Sequence, residues 1–322
     1  VSLASREGAL RALAQPGPPS VRREAAARLV EVARTSEAPE GWEATAQTLL
    51  SDKDAEVRRA GVALLALQPG DAGALAARLA PALADSAPSV RMEAVGQLAD
   101  AAAPELRPLL AGALQDSAFL VRFEAARGLA AIRHPAGLDV LAEGLDTPAL
   151  RFRAIGALAE LGDSRALLPL RRLFSRFFLN AFEKTQAAGA LALFGDAEGR
   201  QYLLSRLRRR SALDRPLAAE LCGEAAVHEA EEALLGMLQD ASDKARGAAA
   251  RALGRLGCAR AGPALEQLAQ DTSVAEETRL DVAEGLVFLL GQKARAPLAA
   301  ALAAMHGPEG REELRSLLEE LS

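Results

Sequence analysis

The side chains of this chain that could make or break bonds are three histidines, two cysteines and 43 carboxylates. His134, His228 and His306 stand far apart, with no H-x-x-x-H spacing and no cysteine partner, so they offer no metal set. Cys222 and Cys258 form neither a metal pair nor a disulfide framework, and fit a reducing cytoplasm as buried or incidental thiols. No G-x-S-x-G, P-loop or G-x-G-x-x-G motif occurs. The acids fall in turns and on helix surfaces, and nothing singles out a general acid and base. The expectation is a non-enzymatic protein, with no catalytic residue, no cofactor and no metal.

The chemistry that the spacing does support is ion pairing and aromatic contact. Four of the nine phenylalanines, Phe174, Phe177, Phe178 and Phe182, crowd into 171-RRLFSRFFLNAFEK-184 beside Arg171, Arg172 and Arg176. Residues 165–215 hold eleven basic and four acidic side chains, a charge of +7 in a chain of net charge −5, which leaves −12 elsewhere. Arg outnumbers Lys 34 to four and there is one Asn, the bias of a GC-rich genome, so Arg content by itself carries little meaning. An acidic chain gives no general case for nucleic acid.

The elements that must carry these residues are helices. An anchor position recurs at Arg22, Arg58, Arg91, Arg122, Arg151, Lys184, Asp214, Arg246 and Leu280, with a mean spacing near 32 residues. Each interval holds two apolar-periodic segments. In 103-APELRPLLAGALQD-116, Leu106, Leu109, Leu110 and Leu114 share a helical face; in 118-AFLVRFEAARGLAAI-132, Val121, Ala125, Leu129 and Ile132 do. Breakers such as Asp-Ser and Gly-Asp separate them, and no stretch has a β period. A helix pair of this size buries its apolar stripe only against like neighbours. The expected fold is all-α: a right-handed superhelix of nine helix pairs over residues 1–322, closed by a capping helix at 307–322.

Asp52 precedes Arg58 by six residues, as Asp85 does Arg91, Asp116 Arg122 and Asp240 Arg246. On these residues the chain resembles HEAT repeats along nearly its whole length, in particular the bacterial HEAT-like type of phycobilisome-lyase-like proteins. The resemblance implies an Asp–Arg ladder between neighbouring units and a scaffold or adaptor role. The pattern fails in unit six (Phe178, Lys184) and unit seven (Arg208, Asp214), which marks 175–215 as an irregular segment or hinge.

That failure coincides with the aromatic and basic island, so a docking site for a partner protein with an acidic surface or peptide is expected there: Arg171, Arg172, Arg176, Phe177, Phe178, Phe182, Arg206, Arg209 and Arg210. Rings usually serve as core, but four around one turn cannot all point inward, so one or two exposed rings are expected. A second candidate groove follows from the residue after the anchor in three successive units: Met92, Phe123 and Phe152. In HEAT-like solenoids the second helices line the concave side, where these three would form an apolar stripe; packing inside each unit is the competing reading. Two other readings come with the resemblance. Some HEAT-like proteins are DNA glycosylases with a basic groove and aromatic residues, but Trp42 and Tyr202 lie far apart here, and acidity outside one segment argues against nucleic acid. Lyase-like relatives attach bilins as partners of a second subunit. No apolar run approaches the roughly 18 residues of a membrane helix, so no membrane role is expected. The chain begins at Val1 rather than Met, so its lack of a signal peptide carries little weight.

Overall fold

The computed structural model describes residues 6–14, 18–35, 42–210 and 213–321. The described residues hold twenty α-helices and no strand, and they divide into two compact units: 1–150 with 160–163, and 151–159 with 164–322.

In the first unit the helices come in pairs: α1 (Arg6–Ala14) with α2 (Pro19–Arg34), α3 (Glu43–Leu50) with α4 (Ala55–Ala66), α5 (Ala72–Leu83) with α6 (Pro88–Asp100), and α7 (Arg107–Ala113) with α8 (Phe119–Ala131). The second helices α2, α4, α6 and α8 pack on one another in chain order. Leu29, Leu49, Leu65, Leu79, Leu98, Leu110 and Leu129 fill the space between the layers, with the Trp42 ring among them. α9 (Leu138–Gly144) follows, and the boundary between the units falls within α10 (Pro148–Leu161).

The second unit continues with α11 (Leu167–Phe174) and α12 (Ala181–Leu193), α13 (Ala197–Leu207) and α14 (Arg215–Glu224), α15 (Glu231–Gln239) and α16 (Arg246–Arg255), α17 (Gly262–Gln270) and α18 (Glu276–Leu290), and α19 (Arg295–Ala304) and α20 (Pro308–Glu320). Its second helices again pack in series, α12 on α14, α14 on α16, α16 on α18 and α18 on α20. The segment read as a cap is therefore α20, the partner of α19, and the described residues make ten pairs rather than nine and a cap. The irregular 175–215 lies inside this unit.

Small residues set the helix spacing. A Cβ at Gly285 of α18 would stand 2.5 Å from the Ala250 carbonyl oxygen of α16, so the two backbones touch. Side chains start several helices: Asp54 accepts from Glu56 N at 2.9 Å, Asn180 from Glu183 N at 2.9 Å and Asp196 from Gly199 N at 2.9 Å. Just past α6, α8 and α14 the backbone turns through left-handed residues, Ala102, Arg133 and Ala226, closing each helix before the next pair begins.

One stretch, Glu276–Ala304, is long and apolar enough by length and composition to cross a membrane, with a mean hydropathy of 1.3 over its best window. This corrects the reading that no run approaches that length. The stretch is two helices, α18 and α19, joined by a 3₁₀ turn at Gly291–Ala294, and α18 buries Val282, Ala283 and Leu286 in the core of its unit.

Candidate protein-interaction surface

Arginine ties the turns together. Arg22, Arg58, Arg91, Arg279 and Arg311 are each the fourth residue of a second helix. Arg58 donates through Nη1 to the carbonyl oxygen of Asp52 at 2.9 Å, and through Nε and Nη2 to both carboxylate oxygens of Asp85 at 2.8 Å. Arg91 repeats this with the Asp85 carbonyl (2.8 Å) and the Asp116 carboxylate (2.7 and 2.8 Å). Arg22 bonds the Leu13 carbonyl and Asp52. Within a pair, then, the guanidinium satisfies a carbonyl at or beyond the end of the first helix; between pairs it meets a carboxylate in bidentate form. Each of these acids also accepts a backbone N–H two residues on, Ala87 N for Asp85 and Ala118 N for Asp116, both at 2.8 Å. The hydrogen bond from Arg58, outweighing burial, holds the Asp85 carboxyl below its ordinary value, and Arg91 does the same for Asp116.

The second unit keeps the ladder by changing its residues. Arg151 has Phe178 where a pairing Asp would stand, and bonds Glu183 at 3.2 Å instead. Lys184 sits over the Phe174 and Tyr202 rings, 5.0 and 5.7 Å from their centroids. These two rings meet edge to face at 5.3 Å. α13 ends at Leu207 and α14 starts at Arg215, a longer separation than in the earlier pairs, and this shifts the anchor from Asp214 to Arg215. Arg215 bonds the Leu207 carbonyl at 2.8 Å and pairs with Asp243. Likewise the unit-nine anchor is Arg279, not Leu280; it donates to the Ala304 carbonyl at 3.0 Å. Arg311 donates to the Met305 carbonyl at 3.2 Å. Asp240 does not serve as the ladder acid of its pair. The turn 240–245 sets Asp243 opposite Arg215, while Asp240 pairs with Arg210.

The residues expected to dock a partner separate into two groups. Phe177 and Phe178 are 91% and 94% exposed and meet each other edge to face at 5.0 Å, in the turn between α11 and α12. Phe182, in the first turn of α12, is also exposed, as are Arg172, Arg176 and Arg209. Neither Arg172 nor Arg209 has a side-chain partner among the described residues. Arg206 belongs to the interior: with its Nε at 2.8 Å it holds the fully buried Asp214, which also accepts from the Thr185 hydroxyl at 2.5 Å. Burial pushes the Asp214 carboxyl up, and these two donors outweigh it, leaving the carboxyl below its ordinary value. Arg171 and Arg210 are exposed but committed, to Asp196 at 2.6 Å and to Asp240. Phe174 is core.

The turns before α12 and α14 lie on one edge of their unit, since Thr185 near the start of α12 bonds Asp214 at the start of α14. That edge carries an exposed apolar residue that sequence reasoning missed: Leu213, 84% exposed. Its signal was a lone Leu in the polar run 208-RRRSALDR-215; Ser211 and Ala212 lie outside the described residues.

The second candidate groove is not formed. Phe123 is fully buried, against Phe119 at 6.3 Å, and Met92 packs into the core; Phe152 alone of the three is exposed. The residue after the anchor is buried at Phe123 and partly buried at Met92, which breaks the stripe. A groove along second helices does exist in the first unit, about 620 Å³ across α2, α4 and α6, floored by Ala27, Val30, Ala60 and Ala63 and walled by charged side chains.

No group of three or more His, Cys, Asp or Glu among the described residues is arranged to hold a metal ion. Burial pushes the Cys222 thiol up to about 12, and raises that of Cys258, so neither is an activated nucleophile.

The twenty helices of the described residues, in stacked pairs with an Arg–Asp ladder, define an α–α superhelix class of helical-repeat protein. Residues 75–149 and 203–287 match the family of HEAT repeats, and 150–176 match the PBS lyase HEAT-like repeat. The chain belongs to the HEAT-repeat proteins. Residues 177–202, which begin with the exposed ring pair, fall between the matched segments. Among solved structures, an engineered protein is 20% identical, with 98% of each chain covered and a TM-score of 0.44. The complex of CpcE and CpcF of phycocyanin lyase from Nostoc sp. PCC7120 is 17% identical over 87% of this chain and 94% of that one, with a TM-score of 0.46. Kap95p, in a structure of its binding to RanGDP, is 16% identical over 98% of this chain and 49% of that one, with a TM-score of 0.41. No curated protein matches significantly.

Proposed function

We propose that this protein is a non-enzymatic, cytoplasmic scaffold or adaptor that binds an acidic partner protein through the turn edge of α11–α14. The observation that carries the reading is the Phe177–Phe178 pair, two large apolar rings held almost wholly in water. Aromatic and Arg side chains are the types that dominate binding energy at protein interfaces. The ladder acids nearby already have Arg partners, so the free charge of the edge is positive, through Arg172, Arg208 and Arg209. Such a surface favours an acidic partner and loses affinity as salt rises.

The test is quantitative affinity capture with the wild-type chain and a variant carrying Phe177→Asp, Phe178→Asp, Arg172→Glu and Arg209→Glu, after circular dichroism shows equal helicity. The reading expects acidic partners, depleted from the variant and released by salt. Identical capture by both proteins would refute it.

A further inference from the structure

Beside this edge lies a groove of about 360 Å³, between the turn before α14 and the turn before α16. We infer that it is the anchor pocket for the partner, taking an aliphatic side chain from an acidic segment; this rests on the reading of the edge as a docking surface.

The apolar wall is made by Leu213, Pro216 and Ala245. Leu213 is the informative member, because a leucine this exposed loses the benefit of burial unless something covers it. The polar walls are fixed before any partner arrives. Arg210 bonds Asp240 and the Ser242 hydroxyl, and Arg215 bonds Asp243 and the Leu207 carbonyl. Side chains held in this way lose little further freedom on binding, which is the condition for an anchor pocket.

Charge selects the occupant. The two turns, 208–216 and 240–246, contain six basic residues and three acids, Asp214, Asp240 and Asp243. All three acids are already paired, with Arg206, Arg210 and Arg215. Lys244 lines the groove and Arg209 precedes Arg210 in the chain, and neither has an acid partner among the described residues. An aliphatic side chain flanked by Asp or Glu therefore meets Leu213 and the uncommitted Lys244 in the groove. A basic segment meets only like charge.

The experiment uses the full chain and labelled synthetic peptides in fluorescence polarisation. One peptide is rich in Asp and Glu around a central Leu pair; a second has Ser in place of the Leu pair; a third keeps the Leu pair among Lys. The first is expected to bind at least about tenfold more tightly than the second and to weaken with salt, and the third not to bind. Leu213→Asp should bring the first peptide down to the level of the second, and Lys244→Glu should weaken it without changing helicity. Equal binding of the Leu and Ser peptides, no binding of the Leu peptide, or indifference to Leu213→Asp would overturn the inference. Capture from lysate separates this from the broader reading. A partner lost from the Phe177→Asp, Phe178→Asp protein but kept by Leu213→Asp sinks the pocket and leaves the edge. A partner kept by both sinks both.

Discussion

If Phe177 and Phe178 are there to meet a partner, removing them should cost the fold almost nothing. Burying a phenylalanine contributes about 1.5–3 kcal/mol, and these two rings bury less than a tenth of their surface. Each therefore contributes about 0.2 kcal/mol by burial, and a wet edge-to-face contact adds about 0.5 kcal/mol. The double change Phe177→Ser, Phe178→Ser should lower stability by less than about 1 kcal/mol. Phe123→Ala, at a fully buried site, should cost about 3–5 kcal/mol. Urea unfolding followed by far-ultraviolet circular dichroism distinguishes the two. A loss above about 2 kcal/mol in the double variant would mean that the rings are core, and the docking argument would fall with them.

Four further expectations follow from named contacts. Arg206→Ala leaves the buried Asp214 without its main partner and should cost about 3–5 kcal/mol, whereas Arg209→Ala should change stability by less than about 0.5 kcal/mol; equal effects in unfolding experiments would contradict the assignment of one to the interior and the other to the surface. Asp85 and Asp116 have carboxyls lowered in the folded state, so their ion pairs stabilise above the unfolded carboxylate range, and that stability is lost as pH falls through the folded values. Acid titration of an Asp85→Asn, Asp116→Asn variant should therefore show a shallower fall in stability than wild type, and parallel curves would refute it. Gly285→Val forces a side chain between touching backbones of α16 and α18 and should destabilise by more than about 2 kcal/mol; an unchanged denaturation midpoint would show that the close approach is not real. Cys222, with its thiol raised to about 12, should resist alkylation in the folded protein and react on unfolding, and rapid native labelling would contradict its burial.

The repeat was legible because its physics is local. In most pairs an arginine near the start of the second helix reaches the end of the first, and apolar residues recur every three or four positions to cover the neighbouring pair. The reading failed where turn length changed. A longer turn at 208–214 moved the anchor by one residue, so Asp214 took the place of Arg215, and a fixed offset landed on Leu280 beside the true Arg279. Arg311 was passed over because the strong charge of the last segment looked like a cap. In the island, Phe174 could be told from its neighbours: it continues the face of Leu170 and Leu173 on α11, whereas Phe177 and Phe178 lie past the helix end. The failure of Met92, Phe123 and Phe152 as a stripe has the opposite origin. Equal position in a repeat does not give equal exposure: Phe123 is fully buried and Phe152 is half exposed. Leu213 carried no periodic signal at all; its meaning comes from the groove that it lines.

The most direct test of a partner bound at the turn edge is hydrogen exchange of the purified protein with and without a captured partner. The account predicts slowed exchange on binding at 175–182 and 213–216, with the α2, α4 and α6 groove unchanged. Protection confined to that groove, with the edge as exchangeable as in the free protein, would contradict it.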